Sequence, residues 1–163
     1  MSKKIFEDNL AYPKDSEAIK FQGKEPFKIY DKIKDFLKEN LEISGKDIFE
    51  RILKWDATDI NKSFYVKIEA VRKLDSWSEI NLIVVARGSQ NSQTKEGDVT
   101  IALKPFFRTI VSGNFLQINF WWIYYFVYYK KKREQYFYMA KTMINKLKKD
   151  IGNLYNIKLE ESV

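Results

Sequence analysis

The side chains that could do chemistry in this chain are carboxylates, hydroxyls, lysines and arginines, because the sequence contains no histidine and no cysteine. Those two residue types supply most zinc, haem and iron–sulfur ligands, thiol nucleophiles and imidazole acid/base catalysts. The sequence therefore argues against all of these classes. We expect no cofactor and no bound metal.

Carboxylates come close together in sequence at three predicted strand ends, where they could bind a hard cation or act as an acid/base pair. None of them lies in a calcium-loop or phosphate-loop pattern, and Asp residues at turns commonly accept local backbone hydrogen bonds. We therefore name no catalytic residue, and an enzyme is the less favoured hypothesis. The three pairs are Asp56 with Asp59, Asp75 with Glu79, and Glu96 with Asp98.

Aromatic residues make up 16% of the chain and are concentrated between residues 109 and 129. Rings that face a sheet of Val, Ile and Phe indicate an apolar pocket, and such pockets bind small molecules. Our leading hypothesis is a non-enzymatic binding domain with an apolar pocket between the sheet and the C-terminal helix. Its predicted partner is an apolar small molecule. The ligand-binding residues that we predict on the helix are Trp121, Trp122, Tyr125 and Phe126.

Arg72 is a further candidate ligand-binding residue. Arg72 follows Phe64, Val66, Ile68 and Ala70 at every second position of the strand and so lies on their side of it. We therefore expect its side chain to point inward at the rim of the sheet. An inward arginine can receive an anionic head group, but it more often pairs with a carboxylate. Pairing with a carboxylate such as Asp75 or Glu79 is what we expect by default.

The chain carries 29 basic and 22 acidic residues, a net charge of +7, which favours anionic partners. A basic tract with aromatic neighbours follows the aromatic run, and cations beside stacking rings are typical of single-strand binding. Four consecutive helical residues point in different directions, however, so they cannot all face one phosphate backbone. The first alternative is a nucleic-acid or ribosome-associated protein that binds RNA or DNA through Lys130, Lys131, Lys132, Arg133 and Tyr136.

The uncharged run from residue 109 to residue 129 also has the length of a membrane span and a basic flank. Polar residues such as Asn114, Gln117 and Asn119 favour a core element or an interface over hydrocarbon. The second alternative is therefore a membrane-surface protein held by residues 115 to 129. No apolar segment follows Met1, so we expect a cytoplasmic location.

The hydrophobic pattern predicts one domain of the α+β class over residues 1–163. An arm over residues 1–16 is either loosely ordered or an edge strand. Residues 17–112 are expected to form a helix, opened by Glu25-Pro26 and ended by Ser44-Gly45, and an antiparallel sheet of four to six strands. Pro105 marks a bulge or an edge position in the last strand.

Residues 115–157 are expected to form one long helix, first aromatic and then amphipathic, packed on the sheet. The amphipathic register reaches back unbroken to about Phe120, which favours a helix. The competing interpretation makes Ser112-Gly113-Asn114 a hairpin turn and residues 115 to 128 a strand, because Trp, Ile, Tyr, Phe and Val all favour strands.

The order of an early helix, an antiparallel meander and a long C-terminal helix resembles the helix-grip arrangement of the START-like ligand-binding superfamily. The resemblance covers residues 18 to 157 as topology. It implies a curved sheet around the long helix with an apolar cavity between them. Residues 64–74 and 97–103, ahead of a Tyr/Lys-rich helix, also resemble uncharacterised archaeal proteins of similar layout, and that likeness implies no function.

Overall fold

The computed structural model describes residues 2–159 as six strands and a small set of helices. All strand pairs are antiparallel, which confirms the predicted α+β class with an N-terminal helix and a long C-terminal helix. The elements are β1 (Ser2–Asn9), β2 (Glu17–Lys24), α1 (Lys28–Leu41), β3 (Ile48–Asp56), β4 (Asn61–Lys73), β5 (Ser78–Asn91), β6 (Glu96–Gly113), α2 (Phe115–Tyr124), a π-helical segment (Tyr125–Tyr129) and α3 (Lys130–Leu154).

Strands β3 to β6 form a meander, and β1 and β2 lie end to end along the free edge of β6. Asn9 pairs with Phe106 and Glu17 pairs with Leu103, so the edge is interrupted opposite Pro105. Proline has no backbone N–H to donate to a neighbouring strand. Pro105 lies at this interruption, where its carbonyl accepts a hydrogen bond from the Leu10 N–H at 3.0 Å. This position requires no N–H from residue 105, which explains why β6 tolerates the proline. The arm over residues 1–16 contains the edge strand β1.

One face of the sheet is buried under α1 and α3, and the other is open. Side chains of β4, β5 and β6 alternate between the two, as expected for a half-covered antiparallel sheet. Helix α1 contributes Ile33 and Leu37 to the core, and α3 contributes Ile144 and Leu147. We call the uncovered side the open face.

The C-terminal helix begins at Phe115, as predicted, about five residues before the point to which its amphipathic pattern can be followed in the sequence. Asn114 caps it, because the Asn114 side chain accepts a hydrogen bond from the Gln117 N–H at 2.9 Å and the Gln117 side chain accepts one from the Asn114 N–H at 2.9 Å. This reciprocal capping box stabilises a helix start and excludes the strand interpretation of residues 115 to 128.

The expected unbroken register was wrong, since five π-helical residues separate α2 from α3. All five are aromatic or β-branched, and such side chains crowd the preceding turn of an α-helix. The helix ends at Leu154, three residues before the expected boundary.

Candidate functional site

The inward side of residues 115–129, here called the aromatic segment, packs on the end of the sheet where β1 begins and β6 ends. Trp121 is buried there with Val111 and Tyr129 in a small core of their own. The Phe6 ring stacks on Trp121 at a centroid distance of 5.9 Å, and the Tyr125 ring also stacks on Trp121, at 5.2 Å. These contacts fix one side of the segment to the domain.

Tyr129 anchors the segment to the turn between β4 and β5. Its hydroxyl lies 2.6 Å from the Ser78 hydroxyl and 3.0 Å from a carboxylate oxygen of Asp75. Burial raises the pKa of Tyr129 well above its ordinary range, so the phenol stays protonated and can donate to Asp75. The hydrogen bond thus joins a buried donor to a charged acceptor.

Asp75 stays ionised at this anchor although it is partly buried. Burial works to raise the pKa of Asp75, but hydrogen bonds from the backbone N–H groups of Trp77 and Ser78 and from Tyr129 outweigh it, and Lys132 adds a nearby positive charge. The pKa of Asp75 therefore lies below its ordinary value. The anchor is thus a charged carboxylate that is stabilised by hydrogen-bond donors and a cation of the same chain.

The outward side of the aromatic segment is apolar and exposed to solvent. Leu116, Phe120, Ile123 and Val127 follow one another at spacings of four, three and four residues and are 62–71% exposed. Such spacing places them in a single stripe along the helix. Phe115, Tyr124, Phe126 and Tyr128 widen the exposed surface on both sides of that stripe. Large exposed apolar surfaces of this kind mark sites that contact a partner or a membrane, so this surface lacks its cover.

Exposed lysines border the apolar stripe. Lys130 and Lys131 follow directly in the helix, and Lys4 lines a surface depression together with Phe115 and Ile118. No acidic residue occurs in the sequence from residue 109 to residue 133. The surface therefore combines an uncharged apolar centre with a cationic border.

The predicted ligand-binding residues fall in different places. Trp121, Trp122 and Tyr125 line a groove of about 240 Å³ between β1 and the aromatic segment, together with Phe6 and Arg133. A gap beside α3, lined by residues such as Leu10, Pro105 and Ile144, holds only about 30 Å³. The larger of these two spaces therefore lies beside α2, at the margin of the sheet.

Phe126 does not line this groove and is 67% exposed, although its ring stacks on that of Trp122 at a centroid distance of 5.8 Å. Arg72 does point inward, as expected, but it lies at the end of α1 rather than at the groove. Its guanidinium donates to the Leu41 carbonyl at 2.9 Å and forms an ion pair with Glu42 at 2.9 Å. The expected pairing with a carboxylate is confirmed, but the partner is Glu42 rather than Asp75 or Glu79, because the core face of β4 directs Arg72 toward the C-terminus of α1.

The basic tract is divided between structural and exposed roles. Arg133 forms an ion pair with Asp8 and donates to the Thr109 hydroxyl at 2.9 Å. Lys132 lies 3.5 Å from Asp75 and over the Tyr136 ring at 5.4 Å. The remaining two cations of the tract, Lys130 and Lys131, are exposed, and within residues 2–159 they form no such contacts. The tract does not present one cationic face.

The carboxylate pairs do not converge. Asp56 accepts hydrogen bonds from Thr58, Asp98 accepts one from Ser89, and Asp75 serves the Tyr129 anchor at the other end of the sheet. Within residues 2–159, no three carboxylates are grouped so that they could hold a metal ion. These aspartates act as turn and strand-end residues.

The open face carries a cationic trough that sequence reasoning missed. It holds about 380 Å³ and is lined by Lys20, Arg87, Lys104 and Tyr65, with small side chains such as Ala102 among the lining residues. In the sequence, polar residues alternate with apolar ones along β2, β5 and β6, which indicates a solvent-facing side of each strand. Only the strand order shows that these polar positions are neighbours.

Comparisons with known proteins give no relative of known function. No family model matches the chain, and no curated protein matches it. The solved structure of a protein of unknown function from Staphylococcus aureus is similar to this chain with 12% identity and a TM-score of 0.26, covering 87% of this chain and 98% of that one. Among the described residues, no helix has both the length and the apolar character needed to cross a membrane.

Proposed function

We propose that this protein is a membrane-surface protein that binds anionic lipid through the outward side of the aromatic segment. The observation that carries the proposal is the exposed stripe of Leu116, Phe120, Ile123 and Val127 on a helix whose other side is already packed. Such a helix lies in the plane of the interface with its apolar side among the acyl chains.

A lipid surface fits the charges around the stripe better than a second protein does. Anionic headgroups attract Lys4, Lys130 and Lys131 at the border, and no carboxylate of the segment would repel them. Trp and Tyr residues at the margin of an apolar surface are typical of the headgroup region, where one end of the ring is dry and the other wet.

The magnitudes are sufficient for reversible binding. Burying each apolar side chain of this size contributes roughly 1.5–3 kcal/mol, and each lysine near an anionic surface adds about 1 kcal/mol. Apolar burial therefore dominates, and the lysines select the lipid. Binding should need both terms, so it should be stronger on anionic than on zwitterionic vesicles.

Co-flotation with vesicles tests the proposal. We expect the double variant F120S/V127S to lose more than about tenfold in partitioning onto phosphatidylserine-containing vesicles. The reason is that it removes two apolar side chains that would be buried among the acyl chains on binding. The control variant L53S/I60S changes two exposed apolar side chains in β3 and the turn after it and should bind like the wild type. Equal flotation of both variants, or no flotation of the wild-type protein, contradicts membrane binding. A concentration-dependent dimer that F120S/V127S abolishes would instead identify a second copy of the chain as the partner that covers the exposed stripe.

The groove beside Trp122 supports a second candidate function, binding of an apolar small molecule. The groove retains three of the predicted ligand-binding residues, and its volume of about 240 Å³ suits a small ligand. The START-like resemblance belongs to this candidate, supported by the meander and the long C-terminal helix. Fluorescence of an apolar dye bound at the groove is the measurement that tests it.

A further inference from the structure

The open face of the sheet brings cations from five strands, β2 to β6, into one surface. Antiparallel pairing sets Lys20 beside Thr100, Thr100 beside Arg87, Arg87 beside Tyr65, and Tyr65 beside Lys54. This row crosses five strands and spans roughly 19 Å, at about 4.8 Å per strand. We infer that the open face binds the backbone of single-stranded nucleic acid, with the cations of this row and its neighbours on the phosphates.

The cations of the open face, both those that line the trough and their neighbours in the row, are available to a ligand. Among residues 2–159, no ion pair joins Lys20, Lys54, Lys67, Arg87 or Lys104 to a carboxylate. Two carboxylates of the open face are neutralised, since Glu69 pairs with Arg51 at 2.8 Å and Glu7 pairs with Arg108, while Asp98, beside the row on β6, accepts a hydrogen bond from the Ser89 hydroxyl at 2.7 Å. The centre of the face is therefore positive, and neutralised pairs lie toward its margins.

Tyr65 gives the face a ring on which a base can stack. Its side chain lies between Arg87 and Lys54 in the row and is partly exposed, and no other described ring or cation packs on it. A cationic surface with a free ring is how proteins hold single strands without reading their sequence, because every base has a stacking face. Small side chains such as Ala18 and Ala102 leave room for the nucleic-acid backbone to lie close to the sheet.

This surface is separate from the aromatic segment. The aromatic segment packs against the core-facing side of β1 through Phe6, whereas the trough is on the opposite face of the sheet. Nucleic-acid binding as inferred here therefore does not rest on membrane binding. It also replaces the predicted role of the basic tract, in which Lys132 and Arg133 are already paired within the chain.

Fluorescence anisotropy with a labelled oligouridine tests the inference, with a heparin fragment as a polyanion that has no bases. We expect K20Q/R87Q/K104Q to lose at least about tenfold in oligouridine affinity and to show a shallower salt dependence, by about 0.7 in the logarithmic slope per lost phosphate contact. Y65A should weaken oligouridine binding and leave heparin binding unchanged, because only the oligonucleotide has bases to stack.

The control variant K130Q/K131Q/K146Q removes the same amount of charge from exposed lysines of α3 and should bind oligouridine like the wild type. K20Q/R87Q/K104Q should also float with anionic vesicles as the wild type does. The inference is overturned if the two triple variants lose affinity equally, if wild-type binding does not weaken with salt, or if K20Q/R87Q/K104Q loses vesicle and oligouridine binding together.

Discussion

Tyr129 shows how one hydroxyl fixes the position of the aromatic segment. The hydroxyl joins the buried Ser78 to the carboxylate of Asp75, and the ring packs edge-on against Trp77 at 5.3 Å. Hydrogen bonds to charged groups are stronger than neutral ones, and an unsatisfied buried partner is costly. We therefore place the main polar constraint on the segment at this residue.

Removing that hydroxyl should lower the stability of the domain. We expect Tyr129→Phe to reduce the free energy of unfolding by about 1–3 kcal/mol, because Asp75 and Ser78 both lose a buried partner. Urea denaturation followed by tryptophan fluorescence measures the loss. Tyr128→Phe is the matched control, since Tyr128 is 70% exposed, and it should change stability by less than about 0.5 kcal/mol. Equal stability of the two variants would show that the anchor does not hold.

At the scale of elements, the strands and helices were largely predictable because their periodicities are clear. Phe64, Val66 and Ile68 alternate as a half-buried strand should, and α1 carries its apolar residues at helical spacing. The start of α2 was predictable in principle, since Asn114 and Gln117 stand at capping-box spacing. The π segment was not, because its aromatic sequence continues the α-helical pattern without a visible signal.

The groove between β1 and α2 depends on the packing of these two elements and allows a direct test of the pocket hypothesis. We expect Trp122→Ala to abolish most of the fluorescence of an apolar dye bound by the domain, because Trp122 lines the groove with Phe6. Phe120→Ala is the control, since Phe120 belongs to the exposed stripe and is 71% exposed. Dye binding that survives Trp122→Ala but not Phe120→Ala would place the dye on the exposed stripe and remove the groove as its site.

At the scale of the whole molecule, the sites were harder to predict than the fold. Sequence spacing placed Trp121, Trp122 and Phe126 together, but the helix directs two of them toward the domain and one into solvent. The trough of Lys20, Arg87 and Lys104 could not be found from spacing, because strand order alone brings residues so distant in sequence together. Sites that depend on tertiary neighbours need the pairing of the sheet before they can be recognised.

The most direct test of membrane binding is the environment of a label on the outward side of the aromatic segment. The chain contains no cysteine, so Phe126→Cys offers a single site for an environment-sensitive fluorophore, and Gln93→Cys places the same label in the loop before β6, at the far end of that strand from the aromatic segment. With phosphatidylserine-containing vesicles, we predict a blue shift and a gain in emission at position 126 and no change at position 93. Unchanged emission at position 126, or equal shifts at both positions, would contradict binding through the aromatic segment.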